Sequence, residues 1–315
     1  ARVLLSMVRV HRFVPIRCRV NGALGHDQDY EIRPAQKKKK VAVVGGGPAG
    51  MEAARVAAIR GHEVVLYEKE NRLGGMLPWV AVIKGLDVDS DAMLLATYLE
   101  NQIKKLGVRI RLKEAFGPSL IPEVNPDAVI LATGDIPTMP EMQGINRRNV
   151  FSIDELYRML KDDLELMEPG VMRWMAKYWD FIGKRVAIIG GSIEGSGLAE
   201  FLVERCRNVT LVDEGSIWGD DPLVRSPSME KVTRMPGVKC EEITENGLVI
   251  TTGEGMKQTI EADTIFTAAS PRLNTDLLKA IEGKVPEAYL IGIEDKEPSS
   301  IMNAIGNAYR ISKTI

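Results

Sequence analysis

Two stretches of this chain set glycines and an acid at a spacing that could hold a nucleotide. In the first, Gly45, Gly47 and Gly50 form the pattern Gly-x-Gly-x-x-Gly, and Glu68 follows further on. The first glycine permits a sharp turn, the second lets backbone approach a pyrophosphate, and the third lets a helix pack closely on a sheet. The start of that helix then offers unpaired N–H groups and a positive dipole end to the phosphates. Glu68 is placed to accept hydrogen bonds from a ribose diol. The pattern recurs 145 positions later: Gly190 aligns with Gly45, Gly195 with Gly50, Ala199 with Ala54, Arg205 with Arg60 and Asp213 with Glu68. Ser192 stands where Gly47 stands, which leaves less room for a pyrophosphate. Asp213 is placed to accept a 2′-hydroxyl and repel a 2′-phosphate, a preference for NADH over NADPH.

Such residues need a strand, a tight turn, a helix and a second strand to hold them. Val41–Val44 reads as the strand, the alanine-rich run after Gly50 as the helix, and Val64–Tyr67 as the second strand ending at Glu68. Gly74-Gly75-Met76 forms a further point of close backbone approach. Ala92–Leu106 has helical spacing, Val108–Leu112 alternates as a strand, and Asp127–Leu131 is a buried strand ending in Ala132-Thr133-Gly134. Small residues at the carboxyl ends of such strands are where ligands of open α/β sheets lie. From Pro169, residues Val171, Trp174, Met175, Tyr178, Trp179 and Ile182 keep helical spacing and are expected to face a core, with a partner-binding helix or a lid as the alternative. Past Asp213, short strands surround the hairpin signal Asn246-Gly247. Ile260–Ala269 reads as one strand, Ala288–Gly292 as another, and Ser299–Ile315 as a helix entered at Pro298-Ser299-Ser300. The fold class is therefore α/β, with two Rossmann-like dinucleotide-binding domains. The second is inserted into the first, with the first domain at 41–140 plus 264–315 and the second at 141–263.

Composition narrows the possible partners. A chain of 315 residues that is 45% hydrophobic can build two cores, and its net charge of −2 argues against a nucleic-acid partner. No apolar run approaches the roughly 20 residues that span a bilayer. Cys18, Cys206 and Cys240 are too few and scattered for a disulfide framework, which points to a reducing, cytoplasmic compartment. No Cys-x-x-Cys occurs, so the dithiol of disulfide reductases is excluded. Residues 1–40 form a basic extension of net charge +7, leaving −9 on the rest. Its acid-free, arginine-rich start has the composition of an organelle presequence, but the residues from Cys18 onward match something else. Lys37–Lys40 read as a solvated lead-in to the first strand, or as a docking patch for an acidic surface.

With these pieces placed, the chain resembles the two-dinucleotide-domain flavoproteins, which implies two Rossmann-like domains in the glutathione-reductase-type arrangement. It is most similar to the C-terminal half of the 2,4-dienoyl-CoA reductase, trimethylamine dehydrogenase and enoate reductase group. The residues carrying the likeness are Cys18–Asn21, Gly25, Arg33-Pro34-Ala35, Gly45–Gly50, Leu73–Met76, Ala132–Gly134, Gly144, Gly190-Gly191, Ala262-Asp263 and Ile291-Gly292. In that group the N-terminal half is an Old-Yellow-Enzyme barrel holding FMN, and the early cysteine is the last of four ligands to a 4Fe-4S cluster. Here the preceding ligand falls near Ser6, and one thiol cannot hold a cluster that needs four. Ile293 replaces the aspartate that in the family reaches the flavin, with Glu294 one place late, and Ser270 replaces a usual glycine.

The resemblance implies FAD at the first site, or ADP as trimethylamine dehydrogenase holds, and NADH at the second. The candidate contacts of the first site are Gly45, Gly47, Pro48, Ala49, Gly50, Glu68, Lys69, Gly75, Met76, Ala115, Ala132, Thr133, Gly134, Gly292 and Ile293. Those of the second are Gly190, Ser192, Ile193, Glu194, Gly195 and Asp213. Hydride transfer to a flavin needs no side-chain acid or base, so no catalytic residue is assigned, and no metal ligand. The expected function is an FAD-dependent NADH oxidoreductase module that hands electrons to a partner. That partner would be a barrel-type FMN or iron–sulfur subunit, so the chain is expected in an oligomer or a larger complex. The alternative is a nucleotide-binding regulatory subunit with ADP in the first site and no redox activity. A third reading makes the chain a piece of a longer family member.

Overall fold

Hydrophobic runs at the predicted strands assemble two parallel five-stranded sheets in a computed structural model that describes residues 18–24, 31–84, 86–136, 138–217, 226–268, 271–292 and 301–315. The sequence expectations for Gly25, Ser270, Ile293, Glu294, Pro298-Ser299-Ser300 and most of the basic extension fall outside the described residues. The chain divides into two units. One contains the described residues up to Pro78, Ser90–Ile136 and Arg272–Ile315; the other contains Trp79–Asp89 and Pro137–Pro271.

In the first unit, strands β1 (Lys40–Val44), β2 (Glu63–Glu68), β3 (Arg109–Leu112) and β4 (Ala128–Leu131) join a later strand, β13 (Glu287–Leu290). They lie in the order β13-β4-β1-β2-β3. Strand β1 sits centrally, with Val44 in register with Tyr67 on one side and Leu131 on the other. All of Val41–Val44 are buried, as a strand covered on both faces requires. Helix α1 (Pro48–Ile59) links β1 to β2 and buries Met51, Ala53, Ala54, Val56 and Ala57. The last helix of the chain, Ile301–Ser312, packs along α1. On the opposite sheet face, Tyr67 and Phe116 meet at 5.1 Å between ring centroids, with Ile121 and Ile281 beside them.

The second unit repeats this plan. Strands β5 (Val150–Ser152), β6 (Arg185–Ile189), β7 (Asn208–Asp213), β8 (Thr233–Pro236) and β12 (Thr264–Thr267) form a sheet in the order β5-β12-β6-β7-β8. A helix at Ile193–Val203 is the counterpart of α1, and its Leu198, Phe201 and Leu202 pack with Val186 and Ile188. The other face is covered by an antiparallel sheet of β9 (Lys239–Thr244), β10 (Gly247–Thr251) and β11 (Lys257–Glu261), through Ile243, Leu248 and Ile250. The predicted Asn246-Gly247 turn joins β9 to β10.

Several expectations require correction. Ile260–Ala269 is not one strand, because Ala262-Asp263 breaks it between β11 and β12, which lie in different sheets. Asp263 is fixed there by donation of its backbone N–H to the Arg185 carbonyl and by the Arg185 guanidinium on its carboxylate. Since β12 lies beside β6, the return to the first unit follows Pro271 rather than residue 264, and Trp79–Asp89 group with the second unit. The helix expected from Ala92 begins at Leu86. The aromatic stripe after Pro169 forms core only in part: Ile182 is buried and Trp179 packs half-buried against the same cluster, but Trp174 and Tyr178 do not. Met172, Ala176 and Ile182 take the buried positions, while Trp174 and Tyr178 are 61% and 60% exposed. The helix there stops at Met175 and tightens into a 3-10 turn over Ala176–Tyr178, which changes the residue spacing the stripe assumed. Among the described residues no helix is long and apolar enough to cross a membrane.

Candidate functional site

The two glycine loops sit at the carboxyl ends of β1 and β6, as parallel sheets place their ligands. Gly45 and Gly190 take positive φ, at 108° and 113°. A Cβ on either would overlap a carbonyl oxygen, that of Ala132 or of Ala268. A Cβ on Gly50 would overlap the Gly45 carbonyl, and one on Gly195 the Gly190 carbonyl. The turn and the close helix packing therefore exclude any side chain at these four positions.

The acids that end the second strands hold the loops. Glu68 is buried; its Oε2 accepts from Gly46 N–H at 2.5 Å and its Oε1 from Glu70 N–H at 2.9 Å. Asp213 repeats both bonds, from Gly191 N–H and Gly215 N–H, each at 2.6 Å. Each carboxylate has about four lone-pair sites and retains capacity for a ribose hydroxyl beyond these two bonds. Gly46 and Gly191, absent from the expected contacts, are the residues these acids grip. A Cβ on Gly46 would come within 2.5 Å of Leu73 Cδ2, and one on Gly191 within 2.8 Å of Ile217 Cγ1. The unbroken glycine runs at 45–47 and 190–191 carried that signal.

The other expected contacts gather around the first loop. Gly74 N–H donates to the Gly46 carbonyl at 2.9 Å, and a Cβ on Gly75 would come within 3.0 Å of Gly47 Cα. Gly75 and the exposed Met76 thus border Gly47. Ala132 N–H donates to the Val44 carbonyl at 2.8 Å, leading into the exposed Thr133 and Gly134. Glu114 N–H donates to the Glu68 carbonyl at 3.0 Å, so the exposed Ala115 lies near the tip of β2, as does the exposed Lys69. Gly292 follows β13, where Ile291 N–H donates to the Leu131 carbonyl at 2.8 Å. Any side chain on Gly292 would collide with Leu273. In the second unit Ala268, whose N–H donates to the Ile189 carbonyl at 2.7 Å, is the counterpart of Ala132 and was missed. Aligning the ends of β4 and β12 would have found it.

The loops differ where a phosphate would rest. A Cβ on Gly47 would enter open space, Pro48 occupies the first helical position, and no side chain caps α1. Its first turn carries no acid. These features suit an external pyrophosphate, and the fit with a dinucleotide is good. In the second unit the Ser192 hydroxyl accepts from Gly195 N–H at 3.2 Å, Ile193 follows, and Glu194 lies exposed in the first turn.

Cys240 is pushed up to about 11 by burial and by Glu214 and Asp213, so it stays protonated at neutral pH. Cys18, Cys206 and Cys240 are all free. Among the described residues no cluster of His, Cys, Asp and Glu could hold a metal ion.

A sheet order repeated around two glycine loops, each with an acid at the tip of its second strand, defines a protein with paired dinucleotide-binding domains. The chain belongs to the pyridine nucleotide-disulphide oxidoreductase family, which it matches over residues 39–296, with a further match over 19–117. It is 33% identical to the cinnamate reductase of Clostridium sporogenes over 320 aligned positions, covering 98% of this chain and 44% of that protein. It is 31% identical to the NADH oxidase of Thermoanaerobacter brockii, covering 96% and 45%. The solved structure of a 2-naphthoyl-CoA reductase in complex with 2-naphthoyl-CoA superposes with a TM-score of 0.79 at 32% identity, over 98% of this chain and 44% of that one. The chain thus spans a little under half the length of these relatives.

Proposed function

We propose that this chain is an FAD-dependent NADH oxidoreductase module, with FAD in the first unit and NADH in the second. The observation that carries the reading is the first loop: Gly47 faces open space before a helix start that no side chain caps, and buried Glu68 pins Gly46. Ala49 and Gly50 present first-turn amides to a pyrophosphate, and Gly75 and Met76 border it. Glu68 and Asp213 hold the two loops in shape and accept from ribose hydroxyls. The Asp213 carboxylate repels a 2′-phosphate, which favours NADH. When bound, FAD supplies the acceptor for hydride from the nicotinamide.

Electrons leave to a partner that provides what the rest of the longer relatives provides, a barrel-type FMN or iron–sulfur subunit. The names cinnamate reductase and NADH oxidase support a redox role. The test is an absorption spectrum from 300 to 600 nm on protein reconstituted with FAD, followed by anaerobic NADH. Bound flavin that bleaches is the expected result. A colourless protein stabilised by ADP but not by FAD would replace this reading with a regulatory one.

A further inference from the structure

The two loops share their turn, their helix packing and their acid, and differ in how their helix starts are satisfied. Gly47, Ala49 and Gly50 leave the start of α1 without a cap or a charge. At the equivalent positions Ser192 caps the helix through Gly195 N–H, and Glu194 adds a carboxylate to its first turn. A third difference is steric: the Ser192 side chain extends from the position where Gly47 opens onto empty space. A side-chain cap and a first-turn acid are the two devices by which a helix satisfies its own amino end. They are also what a bound pyrophosphate would have to displace and overcome.

We infer that Ser192 and Glu194 are specificity-determining residues that hold the second site at low affinity for its dinucleotide. The inference rests on the reading of that site as the NADH site. For a phosphate oxygen to accept from Gly195 N–H, the Ser192 hydroxyl must give up that bond. The Glu194 carboxylate meanwhile repels the phosphates and weakens the positive end of the helix dipole. Glu194 is exposed, so the repulsion is screened by salt. The chemistry selected against is the diphosphate bridge itself, whatever nucleoside it carries. The consequence is a second site that exchanges its nucleotide rapidly, where the first is built to retain one.

The test uses FAD-loaded full chain, with NADH affinity read by titration calorimetry for wild type, Ser192→Gly, Glu194→Gln and the double variant. Loss of the cap should tighten binding about fivefold and loss of the charge about threefold, with the double variant gaining about tenfold. Raising salt should narrow the gap between wild type and Glu194→Gln. Flavin absorbance per chain reports that each variant is folded and loaded, apart from any turnover. Equal NADH affinity in all four proteins would overturn the assignment and leave the proposed function standing. No NADH binding by any of them, with flavin retained, would overturn both.

Discussion

The first and second glycine loops share one backbone and differ in their chemistry. Each takes positive φ at its first glycine, packs its third against a carbonyl, and ties the residue after the first glycine, Gly46 or Gly191, to an acid 22 residues on. The shared part is dictated by hard contacts, so it tolerates no substitution. The differing part is the helix start, where Gly47 and Ala49 in one become Ser192 and Glu194 in the other. Geometry alone therefore makes a loop of this kind, and the residues at its helix start decide whether the first amides are capped by the chain itself or left open to an anion.

The comparison can be broken most severely at the third glycine. Gly50→Ala and Gly195→Ala each drive a methyl into a carbonyl oxygen and should cost about 3 kcal/mol or more, read as a fall in melting temperature. Equal losses would establish that the loops share the same steric logic. Next comes a feature of α1 alone. Glu52 is buried and holds Arg55 through bonds of 2.7 and 2.8 Å, which raise the Arg55 pKa, whereas Gly197 and Glu200 stand at the aligned positions. Glu52→Ala strands a half-buried guanidinium and should cost about 3 kcal/mol. Arg55→Met in the same background should recover part of that loss.

Gly47→Ala should leave the stability of the FAD-free protein within about 0.5 kcal/mol, because its Cβ meets nothing. FAD affinity should nonetheless fall by about tenfold, since the methyl fills space meant for ligand. A variant that binds FAD as well as wild type would contradict the phosphate role of that opening.

Smaller effects mark the far ends of the two helices. Gly61 and Cys206 both close their helices in the left-handed region, at φ of 95° and 60°. Cysteine is strained there, so Cys206→Gly should stabilise by about 1 kcal/mol in thermal unfolding. The following residues are His62 and Arg207. Burial, then Arg60 and Lys39, hold the His62 pKa below its ordinary value, and its neutral Nδ1 accepts from Lys39 N–H at 3.2 Å. The unfolded chain therefore takes up that proton first. Stability should decline as pH drops below about 6.5, until the folded ring is itself protonated. His62→Gln should flatten that part of the pH profile of the melting temperature.

Legibility in the sequence tracked the kind of force at each position. The glycine loops, their acids and the inner strands were readable because steric exclusion and two-sided burial leave few residue types admissible. The repeat also made the missed residues recoverable: Ala268 stands to β12 as Ala132 stands to β4. What stayed hidden was set by distant partners. The bend at Ala262-Asp263 depends on Arg185, 78 residues away, and the β-branched residues on both sides of it read as one strand. The capping box of Ser152 and Glu155, which starts the helix Ile153–Leu166, is local and could have been read. The direction in which Trp174 and Tyr178 point could not, because Met172 and Ala176 offered a second apolar stripe on the same turn of chain. Arg173 settles it by donating to the carbonyls of Val82 and Ile83, which locks that side of the helix inward.

That outward stripe gives the molecule a built-in optical reporter. Trp79 is sealed in the second unit, while the Trp174 indole stands in water with the Lys177 ammonium 4.6 Å from its ring centre. The two rings should emit at different wavelengths; because Trp179 and Trp218 emit as well, the outer ring's signal is the difference between wild type and Trp174→Phe, and that difference should be quenched by a collisional quencher such as iodide. Any protein that settles over Pro169–Tyr178 would move that emission to the blue and shield it. Complex formation could therefore be followed without attaching a dye.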